Sequence, residues 1–158
     1  MLVIAEEAAE QADVIALLAQ SDAYSAARYP PRSCHLIGME TLTATGVRFF
    51  VARDDGRAVG CGALVPSADG TAELKRMVVD EAARGRGIGR ALLAAIEAAA
   101  RDAGVPVLRL EAGIRSPAAL ALYRAAGFEE RRPYGDYVAD PLSIFMEKPV
   151  MARAGDAG

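Results

Sequence analysis

Tryptophan is absent from this chain, histidine occurs once, as His35, and cysteine twice, as Cys34 and Cys61. Two thiols in 158 residues cannot make the disulfide framework of a small secreted domain. One histidine and two cysteines form no cluster with zinc-like spacing, so no metal is expected. A cysteine nucleophile needs an activating partner, and neither cysteine has one in the sequence. Cys61 lies in an apolar run and reads as a buried free thiol. No uncharged apolar run approaches the roughly 18 residues of a membrane helix. The opening MLVIAEEAAEQ sets two glutamates directly after a short apolar run, unlike a secretory signal. The expected location is therefore cytoplasmic, with no membrane partner. Basic residues are also in the minority, 18 Lys and Arg against 21 Asp and Glu, for a net charge of −3. A nucleic-acid surface needs the opposite balance, so no nucleic-acid partner is expected. Any anion must be held by a local arrangement.

What is present suits one globular domain, assigned to residues 1–150, with 151–158 expected to fray: 53% of the chain is apolar and 25% charged. A strand is expected at 2–5, then a helix over 6–22 with Ala9, Ala12, Ile15 and Leu18 on one face. Pro30 and Pro31 make 24–34 a loop, and 35–42 reads as a short helix. Runs 47–53 and 57–65 flank Asp54-Asp55-Gly56 and predict a hairpin. Strand 71–80 alternates Glu73, Lys75, Met77 and Val79 with Leu74, Arg76 and Val78. A strong helix follows, with Ile88, Leu92, Ile96 and Ala99 as its apolar stripe, a Glu97–Arg101 pair and a stop at Gly104. Then come a strand at 105–113, a helix from Ser116 (N-cap) and Pro117 to Gly127, a strand and loop over 128–138, and a last strand at 142–148. This order predicts an α/β (α+β) fold: one mixed sheet with helices on both faces.

The stretch DEAARGRGIGRALL (80–93) packs three arginines and three glycines ahead of an apolar helix. A helix N-terminus exposes unpaired N–H groups and carries roughly half a positive charge. Glycines let backbone N–H groups converge on phosphate oxygens, and arginines add permanent charge. The stretch is neither a P-loop, since Arg90-Ala91 stands where Lys-Ser/Thr is required, nor a G-x-G-x-x-G dinucleotide turn. On these residues alone, a diphosphate cradle and a solvated turn with its arginines in water both remain open.

VVDEAARGRGIGRALL resembles the signature of the GCN5-related N-acetyltransferase (GNAT) family, Arg/Gln-x-x-Gly-x-Gly/Ala, at Arg84, Gly87 and Gly89. A second segment, SPAALALYRAAGF (116–128), is similar to the family's Asn-x-x-Ala-x-x-Leu-Tyr-x-x-x-Gly-Phe at Ala119, Leu122, Tyr123, Gly127 and Phe128, with Ser116 in place of asparagine. Glu81 stands where proline is frequent. The resemblance, which covers nearly the whole chain, is to small bacterial single-domain members. It implies a GNAT-like, mostly antiparallel sheet of six to seven strands and acetyl-CoA as the donor. It places the pyrophosphate on Arg84, Gly85, Arg86, Gly87, Ile88, Gly89 and Arg90, and the pantetheine arm along Met77, Val78 and Val79, with Ser116 and Ala119 beside it. It also allows a homodimer.

The implied reaction is transfer of an acetyl group from a thioester to an amine. An aliphatic amine, with a pKa near ~10.4, must first lose a proton. An oxyanion must then be held and the leaving thiolate protonated. Glu73, expected to share a strand face with Met77 and Val79, is the candidate base, with Glu111 as its rival. Tyr123 matches the family tyrosine that protonates the thiolate, and the Val79 N–H is the candidate oxyanion donor. Tyr29, Arg32, His35, Arg132, Tyr134 and Tyr137 sit on irregular segments and, with Glu111, are candidate walls for the acceptor. The expected acceptor is a small amine, aromatic or amino-acid-like. A protein N-terminus or lysine as acceptor, and a non-catalytic acyl-CoA sensor, are the alternatives.

Overall fold

The computed structural model describes residues 1–151. Apart from Met151, the tail read as fraying lies outside the described residues. Seven strands, β1 (Leu2–Glu6), β2 (Arg48–Asp54), β3 (Arg57–Pro66), β4 (Ala72–Val79), β5 (Val107–Gly113), β6 (Glu129–Arg131) and β7 (Ser143–Pro149), form one sheet in the order β1-β2-β3-β4-β5-β7-β6. Every neighbouring pair is antiparallel except β4 and β5. Helices α1 (Ala12–Arg28) and α2 (Met39–Leu42) cover one face, and α3 (Ile88–Asp102) and α4 (Pro117–Ala125) the other. This is the expected class and strand number. No helix among the described residues is long and apolar enough to cross a membrane.

The hairpin is set by local chemistry. Asp55 and Gly56 both take positive φ, 50° and 87°, between paired Asp54 and Arg57. That is the two-residue turn whose twist matches its strands. The α3 stripe is also as expected: Ile88, Leu92, Ile96 and Ala99 are buried against β3 and β4. Gly60 leaves room for them, since a Cβ there would lie 2.9 Å from a Leu92 methyl and 3.0 Å from the Val78 carbonyl oxygen. Cys61 is fully buried on the opposite face, and burial pushes its thiol up to about 12, which makes it inert.

Three expectations are corrected. Helix α1 starts at Ala12 rather than residue 6, because Arg53 gathers Glu7 and Gln11 against the hairpin. It continues to Arg28 through residues expected to be loop: nothing before Pro30 breaks a helix, and extended backbone first appears at Tyr29, the residue before that proline. Its buried positions are Val14, Leu17 and Leu18, while Ile15 is 48% exposed. Glu97 pairs not with Arg101 but with Lys148 of β7, 2.8 Å away.

The third correction concerns β4. It pairs Val78 with Cys61 and Lys75 with Ala63, so three steps on β4 match two on β3. The extra residue is a bulge at Arg76, whose φ is +55°. A bulge reverses the alternation beyond it. Met77 and Val79 pack toward α3, whereas Val78 joins the α1-side core. Buried Arg76 reaches Asp22 (2.7 Å) and the Leu18 carbonyl (3.2 Å) on α1. Lys75 lies opposite Ala63 of the α1-side core, with Glu73 two residues before it. Glu73 therefore does not share a face with Met77 and Val79.

Leu92→Ala removes a fully buried side chain that abuts Gly60. It should destabilise the protein by about 2–5 kcal/mol, read as a lowered denaturant midpoint with an unchanged slope.

Candidate active site

The parallel neighbours β4 and β5 pair only at Ala72–Leu108 and Glu73–Arg109. Beyond that point they diverge, and the sheet opens into a cleft of about 780 Å³ that both faces line. Asp80 donates its N–H to the Val59 carbonyl of β3. Alternation along the strand then turns the Val79 N–H the other way, toward the gap.

On the α3 side lies the glycine-arginine loop. Asp80 shapes its start, accepting the Ala82 N–H and an Arg57 Nη2–H (2.8 Å). Gly85 and Gly87 take left-handed φ of 80° and 78°, where any side chain would be strained. Gly89 serves packing instead: a Cβ there would lie 3.1 Å from a Leu122 methyl of α4. Helix α3 begins at Ile88 with neither a side-chain cap nor an acidic residue in its first turn, so its free N–H groups are available to an anion. Arg84, Gly85, Gly87, Ile88, Gly89 and Arg90 all line the cleft. Arg86 does not. Its guanidinium turns to Asp54, 2.6 Å away.

Met77, Val78 and Val79 line the cleft from β4, and Ser116, Ala119 and Tyr123 from α4 and its approach. The Ser116 side chain makes no capping bond; its hydroxyl is 3.0 Å from that of Tyr29. Tyr29 also accepts the Arg115 N–H at 2.8 Å, and its ring leaves no space for a Cβ at Gly113. Tyr29, expected on the acceptor wall, lines the cleft and also ties the end of α1 to the β5–α4 corner. Tyr123 is buried, edge-on to Phe128. Burial, reinforced by the charge of Glu111, pushes its phenol well above the ordinary range, so it stays protonated.

On the α1 side, Glu73, Lys75, Glu111 and His35 line the same cleft. One oxygen of Glu73 accepts the hydroxyls of Tyr137 (2.6 Å) and Tyr134 (2.8 Å), and Lys75 Nζ is 3.5 Å from it. Lys75 also donates to the Tyr137 hydroxyl at 2.6 Å. Among the described residues Glu111 accepts one side-chain bond, from Ser143 (3.0 Å), and burial holds its carboxyl above the ordinary carboxylate range. Tyr134 and Tyr137 stand behind Glu73 and do not themselves line the cleft; they stack edge-on with each other and with Phe145. Exposed Arg132 and Arg32 lie outside it as well. Lys75 and Ser143 were not singled out from the sequence. Lys75 was visible as a strand residue beside Glu73, but Ser143 meets Glu111 only through the β5–β7 pairing, which no local pattern encodes.

The family model for the acetyltransferase (GNAT) domain matches residues 45–130, from the hairpin through β6. A protein of Azospirillum brasilense named IAA acetyltransferase is 47% identical over 148 residues, covering 93% of this chain and 97% of its own. A crystal structure from Klebsiella pneumoniae, provisionally assigned as an acyl-CoA N-acyltransferase, is 40% identical with a TM-score of 0.79, covering 95% of this chain and 98% of its own. The PaiA N-acetyltransferase of Thermoplasma acidophilum, solved with coenzyme A, shares the fold at 19% identity and a TM-score of 0.74, covering 94% of this chain and 99% of its own. With its divided sheet, its glycine-arginine loop at an uncapped helix and these relatives, the chain belongs to the GNAT acetyltransferase family, whose acetyl donor is acetyl-CoA.

Proposed function

We propose that the acceptor is a small-molecule amine, acetylated directly within the β4–β5 gap, with Glu111 as base and Tyr123 as acid. The observation that carries this reading is that a buried, protonated phenol and a half-buried carboxylate of raised basicity line one cleft. Bound acetyl-CoA would supply the activated thioester acyl group. Its anionic end suits the N-terminus of α3, with Arg84 and Arg90 beside it, and its arm suits the unpaired edge of β4 at Met77, Val78 and Val79, next to Ser116 and Ala119. The Val79 N–H is the donor for the developing negative oxygen.

Glu111 takes the amine proton. Only one of its oxygens holds a side-chain hydrogen bond, and burial raises its affinity for a proton. Glu73, by contrast, already holds two phenols and a nearby ammonium on one oxygen, so it anchors the loop after β6 and fixes the acceptor wall. Tyr123 gives its proton to the leaving sulfur; its phenol lies on the cleft and its raised pKa keeps it protonated near neutral pH.

Thiol release from acetyl-CoA with a panel of amines tests the reaction itself. Tyr123→Phe should lower kcat roughly 10²-fold with little change in either KM. An unchanged kcat would remove Tyr123 from the mechanism.

The pH profile separates the two carboxylates. The base acts when ionised, so activity falls as pH drops through its pKa. Because that pKa is raised, the acid limb of kcat/KM should lie above the ordinary glutamate value of about 4.3. Glu111→Gln should abolish that limb and cost roughly 10²–10⁴ in rate. Glu73→Gln should keep the limb and raise the KM of the amine. The reverse pattern assigns the base to Glu73.

Arg84→Ala should raise KM for acetyl-CoA roughly tenfold at low salt, a loss that shrinks as ionic strength screens the pair. Arg86→Ala, whose guanidinium is engaged by Asp54, should change it far less.

A further inference from the structure

Burial makes the Glu111 carboxyl costly to ionise, yet a base must be ionised to act. The groups that face it from neighbouring elements are Glu73 and Lys75 of β4, His35 ahead of α2, Tyr123 of α4, and Tyr134 and Tyr137 of the loop after β6. Tyr29 closes over Gly113 at the end of the same strand, and Arg109 precedes Glu111 by two residues. Glu73 opposes the charge of Glu111, while Lys75 and His35 favour it only through space. Lys75 is engaged by the Tyr137 hydroxyl and Glu73, and Arg109 by Asp69 and Glu147. Direct support comes from β7. Among the described residues the Ser143 hydroxyl, 3.0 Å away, is the one side-chain donor to Glu111.

The fold leaves Ser143 little freedom. Strands β5 and β7 set Glu111 opposite Phe145 and Gly113 opposite Ser143. Ser143 is therefore a diagonal neighbour of Glu111 on one face of the sheet, a separation that a long side chain spans. Asp140 fixes it from the loop side. The Asp140 carbonyl accepts the Ser143 N–H (3.0 Å), and its carboxyl accepts the Leu142 N–H (2.9 Å) and the Ser33 hydroxyl (2.6 Å). The Leu142 carbonyl accepts the Ile114 N–H (3.0 Å), which closes the end of β5 onto the same turn. Ser143 does not itself line the cleft, whereas Glu111 does.

From this arrangement we infer that Ser143 is a positioning residue for acetyl transfer: its hydroxyl holds one oxygen of Glu111, favours the ionised carboxylate and leaves the other oxygen free for the amine proton. The inference rests on the reading of Glu111 as base and adds the group that keeps that base usable. A hydroxyl donor to a carboxylate in a desolvated site stabilises the charged form. Without it, desolvation and the charge of Glu73 act with less opposition, and a higher pH is needed to ionise Glu111.

The test compares Ser143→Ala with Ser143→Thr, which restores a hydroxyl. Both keep the backbone bonds that hold the start of β7. Two quantities are measured: the pH profile of kcat/KM by thiol release from acetyl-CoA, with an amine the unaltered protein turns over, and the NMR titration of the Glu111 carboxyl in protein carrying isotope-labelled glutamate, assigned by its loss in Glu111→Gln. Ser143→Ala should move the carboxyl midpoint and the acid limb together to higher pH. On the acid side kcat/KM should fall roughly tenfold, the difference should narrow above the limb, and KM for acetyl-CoA should not change. Ser143→Thr should return both midpoints toward those of the unaltered protein. A carboxyl midpoint that Ser143→Ala leaves in place overturns the inference, while Glu111 stands as base wherever Glu111→Gln still abolishes the limb. A midpoint that moves while the limb stays put overturns the base assignment, and the role of Ser143 in catalysis falls with it.

Discussion

The extra residue that β4 carries between its pairings with Cys61 and Ala63 governs what the cleft can contain. Without it, Glu73, Lys75, Met77 and Val79 would share one face, and the α3-side wall would carry two charged side chains. With it, the charged pair points toward α1 and the apolar pair toward α3. The bulge residue adopts a left-handed φ at a cost of roughly 1–2 kcal/mol for a non-glycine residue. Its tethers to Asp22 and the Leu18 carbonyl offset this and fix α1 against the same strand.

Parity and divergence act together. Because β4 and β5 separate just beyond Glu73 and Arg109, the sheet is open where its two faces have become chemically distinct. A thioester arm and an amine can then approach the same gap from opposite sides, each against a suitable wall. Desolvation within the gap acts on both groups proposed for the chemistry: it keeps Tyr123 protonated and raises the proton affinity of Glu111. The same burial acts on both groups, and at Tyr123 the charge of Glu111 adds to it.

Much of this was legible in the sequence. The strand order, the hairpin turn, the α3 stripe and both motif segments rest on local patterns of period 2 or 3.6 and on turn residues, and these survive folding. What was not legible depends on contacts between distant segments. Nothing in TAELKRMVVD announces a bulge, since the alternation of side chains is equally good without one. The shift of α1 depends on Arg53 capturing Glu7 and Gln11 across the hairpin. Ser116 reads as an N-cap by type, yet its hydroxyl faces Tyr29, which a linear reading assigns to another wall. The expected shared face of Glu73 with Met77 and Val79 fell for the same reason: the bulge reverses the strand parity, and the phenol partners of Glu73 lie more than 60 residues downstream.

The glycine-arginine loop shows how an acidic protein can present a cationic site. Two of its arginine contacts lead back to the β2–β3 hairpin: Arg57 reaches Asp80 at the loop's start, and Arg86 reaches Asp54 beside the turn. With both guanidinium groups well exposed to solvent, such pairs add little stability, about 0–1 kcal/mol each. Their consequence is geometric. They pin both ends of a segment whose glycines would otherwise leave it free to sample many conformations. The Arg86 side chain is held off the cleft, and the shape of the loop is set in exchange. Arg84 and Arg90 remain on the cleft, beside helix N–H groups already free of side-chain caps. A diphosphate bound there, as proposed, would order little additional chain, so more of the interaction energy would appear as affinity. Overall charge of the chain is irrelevant to this arrangement, because the field that matters comes from a few dipoles and two guanidinium groups within one turn of α3.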